Sequence, residues 1–576
     1  MKFNKTAILL LAAVGIAALL AIWALQPDTH FPWSSSKGTV TLSGNTPPPV
    51  RNAEFVRHSD PERQVEIVVG LKLQNEQELS ALLSRLADPT SPDYQKYLTQ
   101  DEFTRRFSPS QQDYDSVVQY LQNSGLKLTA TPPNRLLIAA TGNVAQLEHA
   151  FGVTINEYRL AGNVYISNAA DPQIPARLQG IVLSVIGLND FAEFRPLNTG
   201  IHDHNQPKPQ SGPSGLSPQQ VATVYNHPNA NNAAAATRYS GAGHTVGIAT
   251  AYSYHKSDVD GYWQQYGINR TGKVTNVNIG GNTNSPNGET TLDLEQIGAQ
   301  APGADIIMYL GKDPKFTTFT LVFNTIVTDN KADVVSVSWG LCEMWTGSAQ
   351  MQTEHAIYQQ GYAQGQAFFS ASGDDGAYDC RGLDGGKDDS GKPKAPPLQV
   401  DYPSSDPNVT AVGGTSLLLD DDGKRSLEIV WSGGGGGISG EFARPAWQTG
   451  PGMPTSDKRM TADVAMVADP WTGYSIYYKG NWGVSGGTSF AAPNMAALWV
   501  LAVEAKGQRL GSANPLLYRM GRSADYGNLF YDVTVGDNGD GRGPGYKAGT
   551  AWDHPTGWGA PNGTNVVNWL KNNSGN

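Results

Sequence analysis

Four short, nearly unbroken apolar segments, Val246–Thr250, Asp305–Leu310, Asp333–Ser338 and Gln366–Ser370, recur through the middle of the chain. Helical spacing fills Phe316–Thr328 and Met351–Gln364 between them. A strand that does not alternate apolar with polar residues is covered on both faces. When such strands take turns with helices, a parallel sheet sandwiched between helix layers buries both. The segment 215–576 is therefore expected to form a doubly wound α/β domain, with its reactive groups gathered beyond the carboxyl ends of the strands.

The sequence before it has a different texture. Between Ser43 and Phe191 a strand at Val65–Leu73 precedes helices at Glu76–Leu86 and Gln111–Leu121. A strand at Arg135–Ala140, a helix at Val144–Phe151 and a hairpin over Thr154–Ile166 follow. This order predicts an α+β unit of the split β-α-β, ferredoxin-like kind over 26–195. From Pro196 to Pro213 periodicity gives way to Pro, Asn, His and Ser, so 196–214 reads as a linker open to proteolysis.

At the amino terminus, Lys2 and Lys5 precede an apolar run from Ala7 to Leu25. Residues 1–25 are expected to act as a signal peptide or a membrane anchor, the run being long enough to span a bilayer. Export to the periplasm or the extracellular medium follows, with a membrane-anchored precursor as one form of it. In such a compartment the two cysteines, Cys342 and Cys380, are expected to form one disulfide. A formal net charge of −11 opposes general nucleic-acid binding, which calls for a basic surface. With only 16% charged residues, the chain would repel itself little on acidification.

Three motifs carry chemistry. Gly486-Gly487-Thr488-Ser489-Phe490-Ala491-Ala492-Pro493 sets one Ser among small residues at the start of an apolar helix. There free backbone N–H groups and the helix dipole favour an oxyanion, although a Ser or Thr so placed also serves as an ordinary cap. Glu289 and Asp293 open a second helix four residues apart. They share a face, and mutual repulsion makes one hold its proton more tightly. Asp374, in Ser372-Gly373-Asp374-Asp375-Gly376, follows the Gln366–Ser370 strand at the expected functional edge. Each feature alone is also ordinary helix-end or turn chemistry. A Ser-His-Asp arrangement lacks partners, because His244 precedes the first strand without the expected flanking residues.

Together and in this order the three motifs resemble the sedolisins, serine-carboxyl peptidases of kumamolisin and pseudomonalisin type. The resemblance implies a subtilisin-like fold, with Ser489 as nucleophile, Glu289 as general base and Asp293 sharing its proton. Asp374 would be the neutral donor to the oxyanion. It implies an acid-acting endopeptidase, with tripeptidyl-peptidase action or a silent binding scaffold as alternatives. Ser338, Trp339 and Gly340 would pair with an extended peptide, with Gly433–Gly437 facing them. Where some members carry a Glu at the end of the first strand, this chain has Thr250.

Near the carboxyl end, Asp532-Val533 and Gly549-Thr550-Ala551-Trp552-Asp553 resemble the family's calcium loop. By that resemblance, carboxylates of Asp532 and Asp553 and carbonyls of Val533, Gly549 and Ala551 would hold one structural calcium ion. The stretch from Asp88-Pro89 to Phe107-Ser108-Pro109-Ser110 resembles the family's activation prodomain. A monomeric zymogen is implied, acting on proteins and peptides and held by its own prodomain as inhibitor and folding assistant.

Overall fold

The computed structural model describes residues 38–160, 162–198, 213–281, 285–380, 397–541 and 543–573. The leader at 1–25 and most of the expected linker lie outside them. Among the described residues no helix is long and apolar enough to cross a membrane.

The amino-terminal unit is built from β1 (Gln64–Leu71), α1 (Glu76–Ala87), α2 (Gln111–Asn123), β2 (Lys127–Ala130), β3 (Leu137–Asn143), α3 (Val144–Phe151) and β4 (Val182–Ile186). Its sheet is antiparallel in the order β2-β3-β1-β4, which is the ferredoxin-like arrangement. Arg135 belongs to no strand. It takes a positive φ of 57° in the turn before β3, so β3 begins at Leu137 and runs on to Asn143. The Asn143 side chain then caps α3 in a reciprocal capping box with Gln146. The expected hairpin is formed by Ile155–Leu160 and Asn163–Asn168.

The second unit follows a short strand, β5 (Arg195–Pro196). Its central sheet contains β6 (Thr245–Ala251), β7 (Val274–Ile279), β8 (Asp305–Gly311), β9 (Val334–Val337), β11 (Ala367–Ala371), β12 (Val409–Leu419), β13 (Arg425–Val430) and β14 (Val464–Val467). Between β9 and β11 the chain forms β10 (Trp339–Cys342), outside this sheet. The order is β7-β8-β6-β9-β11-β12-β13, with β14 also pairing with β12, and only β13 is antiparallel. The four apolar segments of the sequence are β6, β8, β9 and β11. The edge strand β7 has exposed polar positions at Thr275, Asn276 and Asn278, so it lacks the unbroken apolar signature of its neighbours.

The side to which successive parallel strands are added switches between β6 and β9, creating the crevice in which α/β folds place ligands. Helix α4 (Gly288–Gln300) begins beside this crevice, and α7 (Thr488–Lys506) crosses the sheet, buried from Thr488 to Val503. The opposite face carries α5 (Phe316–Asp329) and α6 (Ser348–Ala363).

The amino-terminal unit docks on those two helices. Leu79, Leu82, Phe103 and Phe107 enter the same apolar cluster as Phe319 and Phe323. Buried hydrogen bonds fix the register: Asn134 donates to Asn324 Oδ1 (2.7 Å) and Gln360 Oε1 (2.9 Å), and the Ser184 and Thr353 hydroxyls lie 2.5 Å apart. Cys342 and Cys380 form the expected disulfide, with Cα atoms 5.2 Å apart. It ties the end of β10 to the segment that follows Asp374.

Candidate active site

Ser489 occupies the first turn of α7 because Gly487 ends the preceding strand connection with φ 118°, a conformation that strongly favours glycine. Helix starts leave backbone N–H groups without intrahelical partners. The Ser489 N–H points into the crevice, where it donates to the carbonyl of Leu197 at 3.0 Å. The Ser489 hydroxyl donates to the Ser338 carbonyl at 3.2 Å.

Glu289 and Asp293 lie on successive turns of α4, both fully buried. The Asn287 side chain caps the helix by accepting the Glu289 N–H at 2.8 Å. Ser338 Oγ donates to Asp293 Oδ1 at 2.6 Å, and the Asn198 side-chain amide donates to Glu289 Oε2. Burial lifts both carboxyls well above the usual range, and for Glu289 the charge of Asp293 adds to the rise. The Ser489 hydroxyl and Asn198 pull Glu289 the other way. Two carboxyls so placed repel each other's charge, so one holds its proton more tightly than the other, and an ionised member of the pair can accept a proton from Ser489.

Asp374 stands just beyond β11 on the far side of Ser489. Its Oδ1 accepts the Thr488 N–H at 2.8 Å and the Thr488 hydroxyl at 2.9 Å. Its Oδ2 is buried and has no hydrogen-bond partner among the described residues. Burial pushes the carboxyl up to about 8. A side-chain carbon placed on Gly487 would stand 2.5 Å from Asp374 Oδ2 and 2.5 Å from the Leu197 carbonyl oxygen. The unpaired carboxyl oxygen and the peptide carbonyl thus flank one small space that only glycine leaves open. Protonated, Asp374 can donate into that space alongside the Ser489 N–H, as oxyanion stabilisation requires.

The segment lying in the crevice is the chain's own. Strand β5 pairs antiparallel with β10, Arg195 opposite Gly340 and Pro196 opposite Trp339. The Leu197 N–H extends the ladder to the Ser338 carbonyl at 3.0 Å. Pro196 therefore belongs to a strand and Leu197 continues its ladder, so the segment read as linker from 196 begins with chain paired to β10. The backbones of Ser338, Trp339 and Gly340 pair with this extended chain, while two of their side chains face elsewhere. Ser338 reaches Asp293, and the buried Trp339 indole donates to Thr250 Oγ1 at 3.0 Å. Thr250 pairs with Thr290 at 2.9 Å, and Thr290 donates to the Ala251 carbonyl. At the position where some relatives carry a Glu, a hydroxyl chain ends on backbone. The glycines 433–437 brace the Asp374 turn: the Gly435 N–H donates to the Gly373 carbonyl at 2.8 Å and Ser372 Oγ to the Gly435 carbonyl at 2.8 Å.

Two family models match the chain one after the other: Pro-kumamolisin, activation domain, over residues 51–191, and the Subtilase family over 197–559. Sedolisin of Pseudomonas sp. is 32% identical, over 88% of this chain and 87% of the relative. The chain belongs to the sedolisin family. Kumamolisin of Bacillus sp. is 28% identical over 94% of the chain and 98% of its own length, and mouse tripeptidyl-peptidase 1 is 27% identical over 89% and 92%. The solved structure of Pseudomonas sedolisin, complexed with two molecules of pseudo-iodotyrostatin, superposes with a TM-score of 0.55. It is 32% identical and covers 63% of this chain and 99% of that one. The chain is thus a serine-type peptidase with an activation prodomain.

Within this sedolisin framework His244 has another task. It pairs with Asp333 at 3.1 Å beside the amino ends of β6 and β9, where Arg509 also binds Asp333. That is the edge of the sheet opposite Ser489.

The residues expected to hold calcium lie in the carboxyl-terminal loop. Asp532 Oδ1 is buried without a partner among the described residues, while Oδ2 accepts the Ala551 N–H at 2.9 Å. Asp553 accepts the Gly549 N–H at 2.9 Å. Burial raises Asp553, and the charge of Asp532 adds to the rise. Among the described residues no group of three or more His, Cys, Asp or Glu could hold a metal. The expected set has two carboxylates, with Val533, Gly549 and Ala551 contributing only carbonyls, and oxygen donors of that kind fit calcium.

Sequence reading missed Leu197, Asn198 and a second carboxyl pair, Asp379 and Asp401. Phe194 and Leu197 are apolar residues at the entrance of a polar stretch, a weak signal that could have marked the first two. Asp379 and Asp401 are both buried, and burial lifts both, Asp379 to about 7. Their side chains back onto the site, since a side-chain carbon on Gly340 would meet Asp401 Oδ1 at 2.0 Å and one on Gly373 would meet Asp379 Oδ1 at 2.5 Å. Nothing in their spacing announces the pairing.

Proposed function

We propose that the chain is an acid-acting serine-carboxyl endopeptidase, exported as a self-processing zymogen with one structural calcium ion. In this reading Glu289 takes the Ser489 proton as Oγ attacks a peptide carbonyl, and Asp293 holds the proton the pair shares. Neutral Asp374 and the Ser489 N–H receive the oxyanion. The carboxyl must be neutral to donate, which supports an acidic working range. The basic and apolar leader, together with the disulfide, supports export.

The observation that carries endopeptidase action is the length of chain seated upstream of Leu197. Phe194, the fourth residue back from a bond after Leu197, is buried against Phe316 and Phe319 and donates its N–H to the Pro314 carbonyl at 3.0 Å. A tripeptidyl-peptidase needs a cleft that ends after the third. The matured enzyme is therefore expected to cut a denatured protein into internal fragments, read by mass spectrometry. Release of tripeptides alone from free amino termini would establish the other activity.

Calcium at Asp532 and Asp553 would offset their repulsion and add binding energy to the folded state. At a calcium concentration a hundred times Kd the gain is about 2.7 kcal/mol. Chelation is expected to lower Tm in the absence of substrate, and Asp532→Ala should lower Tm and abolish that response. A Tm that chelator leaves unchanged in the unaltered chain argues against the ion.

A further inference from the structure

We infer that the chain's own Leu197–Asn198 peptide bond is the first bond its Ser489 cuts, the act that separates prodomain from peptidase. The inference rests on the serine-carboxyl reading and adds to it the bond, the residues on either side and the intramolecular route.

The chain on both sides of this bond is held by contacts of the kind a bound substrate makes. Upstream, Arg195 and Pro196 add a strand to Trp339 and Gly340, and the Leu197 N–H continues the ladder. This is how extended peptides are held by backbone bonds at a sheet edge. Burial raises Asp379, and the charge of Arg195 opposes part of that rise. The Leu197 side chain is 8% exposed and joins the apolar cluster beneath α7, so the site accepts an aliphatic residue just before the cut. The Leu197 carbonyl already accepts the Ser489 N–H and lies beside the unpaired Asp374 Oδ2. Downstream, the Asn198 side chain hydrogen-bonds Glu289 Oε2, which places the leaving residue on the side of the group that carries the proton.

The steps balance with water as the only co-reactant. Ser489 Oγ bonds to the Leu197 carbonyl carbon while its proton passes to Glu289. The tetrahedral intermediate collapses, the bond to the Asn198 nitrogen breaks, and Glu289 returns the proton to that nitrogen as it leaves. Water, deprotonated by Glu289, then attacks the Leu197–Ser489 ester, Glu289 passes that proton to the departing Ser489 Oγ, and Leu197 leaves as a carboxylic acid that ionises in solvent. The contact with Asn198 steadies Glu289 in the unreacted precursor.

The test uses the purified full-length precursor, acidified in steps and sampled from the earliest times, with the new amino terminus read by mass and sequencing. The expected first product begins at Asn198 and appears at a first-order rate that does not change on tenfold dilution. An earliest amino terminus at any other residue overturns the assignment, and a rate proportional to precursor concentration overturns the intramolecular route. Leu197→Asp, which puts a charge where an aliphatic side chain is buried, should slow formation of that product at least about tenfold. A synthetic peptide of residues 192–200 added to matured enzyme should be cut between Leu and Asn, and a cut elsewhere in it would also count against the inference. Ser489→Ala precursor separates the two levels. If it matures at the unaltered rate, the serine-carboxyl reading fails. If it stays whole while the unaltered chain matures from another bond, only the Leu197–Asn198 assignment fails.

Discussion

Ser489→Ala is expected to lower kcat on denatured protein by a factor on the order of 10^6 while leaving the fold in place. The factor is large because nucleophile, base and oxyanion donors act as one unit. With Oγ gone, neither the proton shared by Glu289 and Asp293 nor the neutral Asp374 has an attack to assist. The structural change is small. Ser489 is buried in the first turn of a helix fixed along its length, and the hydroxyl gives up its hydrogen bond to the Ser338 carbonyl and its interaction with Glu289. Such a bond contributes about 1 kcal/mol net, so thermal unfolding should shift little. Glu289→Gln should behave similarly in Tm and lose about 10^2 to 10^4 in rate, since a neutral amide cannot accept the serine proton. Activity and Tm measured side by side decide the matter. An alanine variant that keeps a hundredth of the hydrolysis, with added protease excluded, would remove Ser489 from the chemistry.

The architecture was readable where burial leaves an unambiguous pattern. The unbroken apolar runs that became β6, β8, β9 and β11 have no other use in a soluble fold, and Glu289, Asp293, Asp374 and Ser489 lie in local motifs tied to helix starts or a strand end. The structure brings those four side chains to one crevice. Edge strand β7 escaped because a half-exposed strand with Thr275, Asn276 and Asn278 reads as loop. Leu197 and Asn198 escaped for a different reason. Leu197 is placed by the ladder that runs along β10 and Asn198 by its bond to Glu289, both with partners far along the chain, and no local propensity encodes them. The Asp379–Asp401 pair and the hydroxyl chain through Thr250 are likewise products of tertiary contact. Local sequence could place Trp339 on a strand, but only the packed structure directs its indole to Thr250.

Raising the pH from about 4 to 8 is expected to weaken the protein and its activity together. Asp374 and Glu354 are fully buried carboxyls that burial lifts from 3.8 and 4.5, respectively, to about 8, and Asp379 rises from 3.8 to about 7. Groups raised in this way bind protons more tightly folded than unfolded. The stability they confer is complete below the unfolded pKa and is lost as pH climbs through the folded one. Over that window each proton retained only by the folded chain lowers stability by about 1.4 kcal/mol per pH unit. Tm should therefore fall steadily from acid to neutral pH, the reverse of a protein held by salt-bridged carboxylates. Activity follows the same sign for a separate reason, because Asp374 donates to an oxyanion only while protonated, and the Glu289–Asp293 pair must keep its shared proton. Asp374→Asn separates the two effects. The amide donates at every pH, so the variant should be slower at acid pH yet lose less of its kcat/KM on the way to pH 8, while Glu354, untouched, still makes Tm fall. If kcat/KM in the variant declines with the unaltered profile, the alkaline limb belongs to the Glu289–Asp293 pair and the neutral Asp374 is not what sets it.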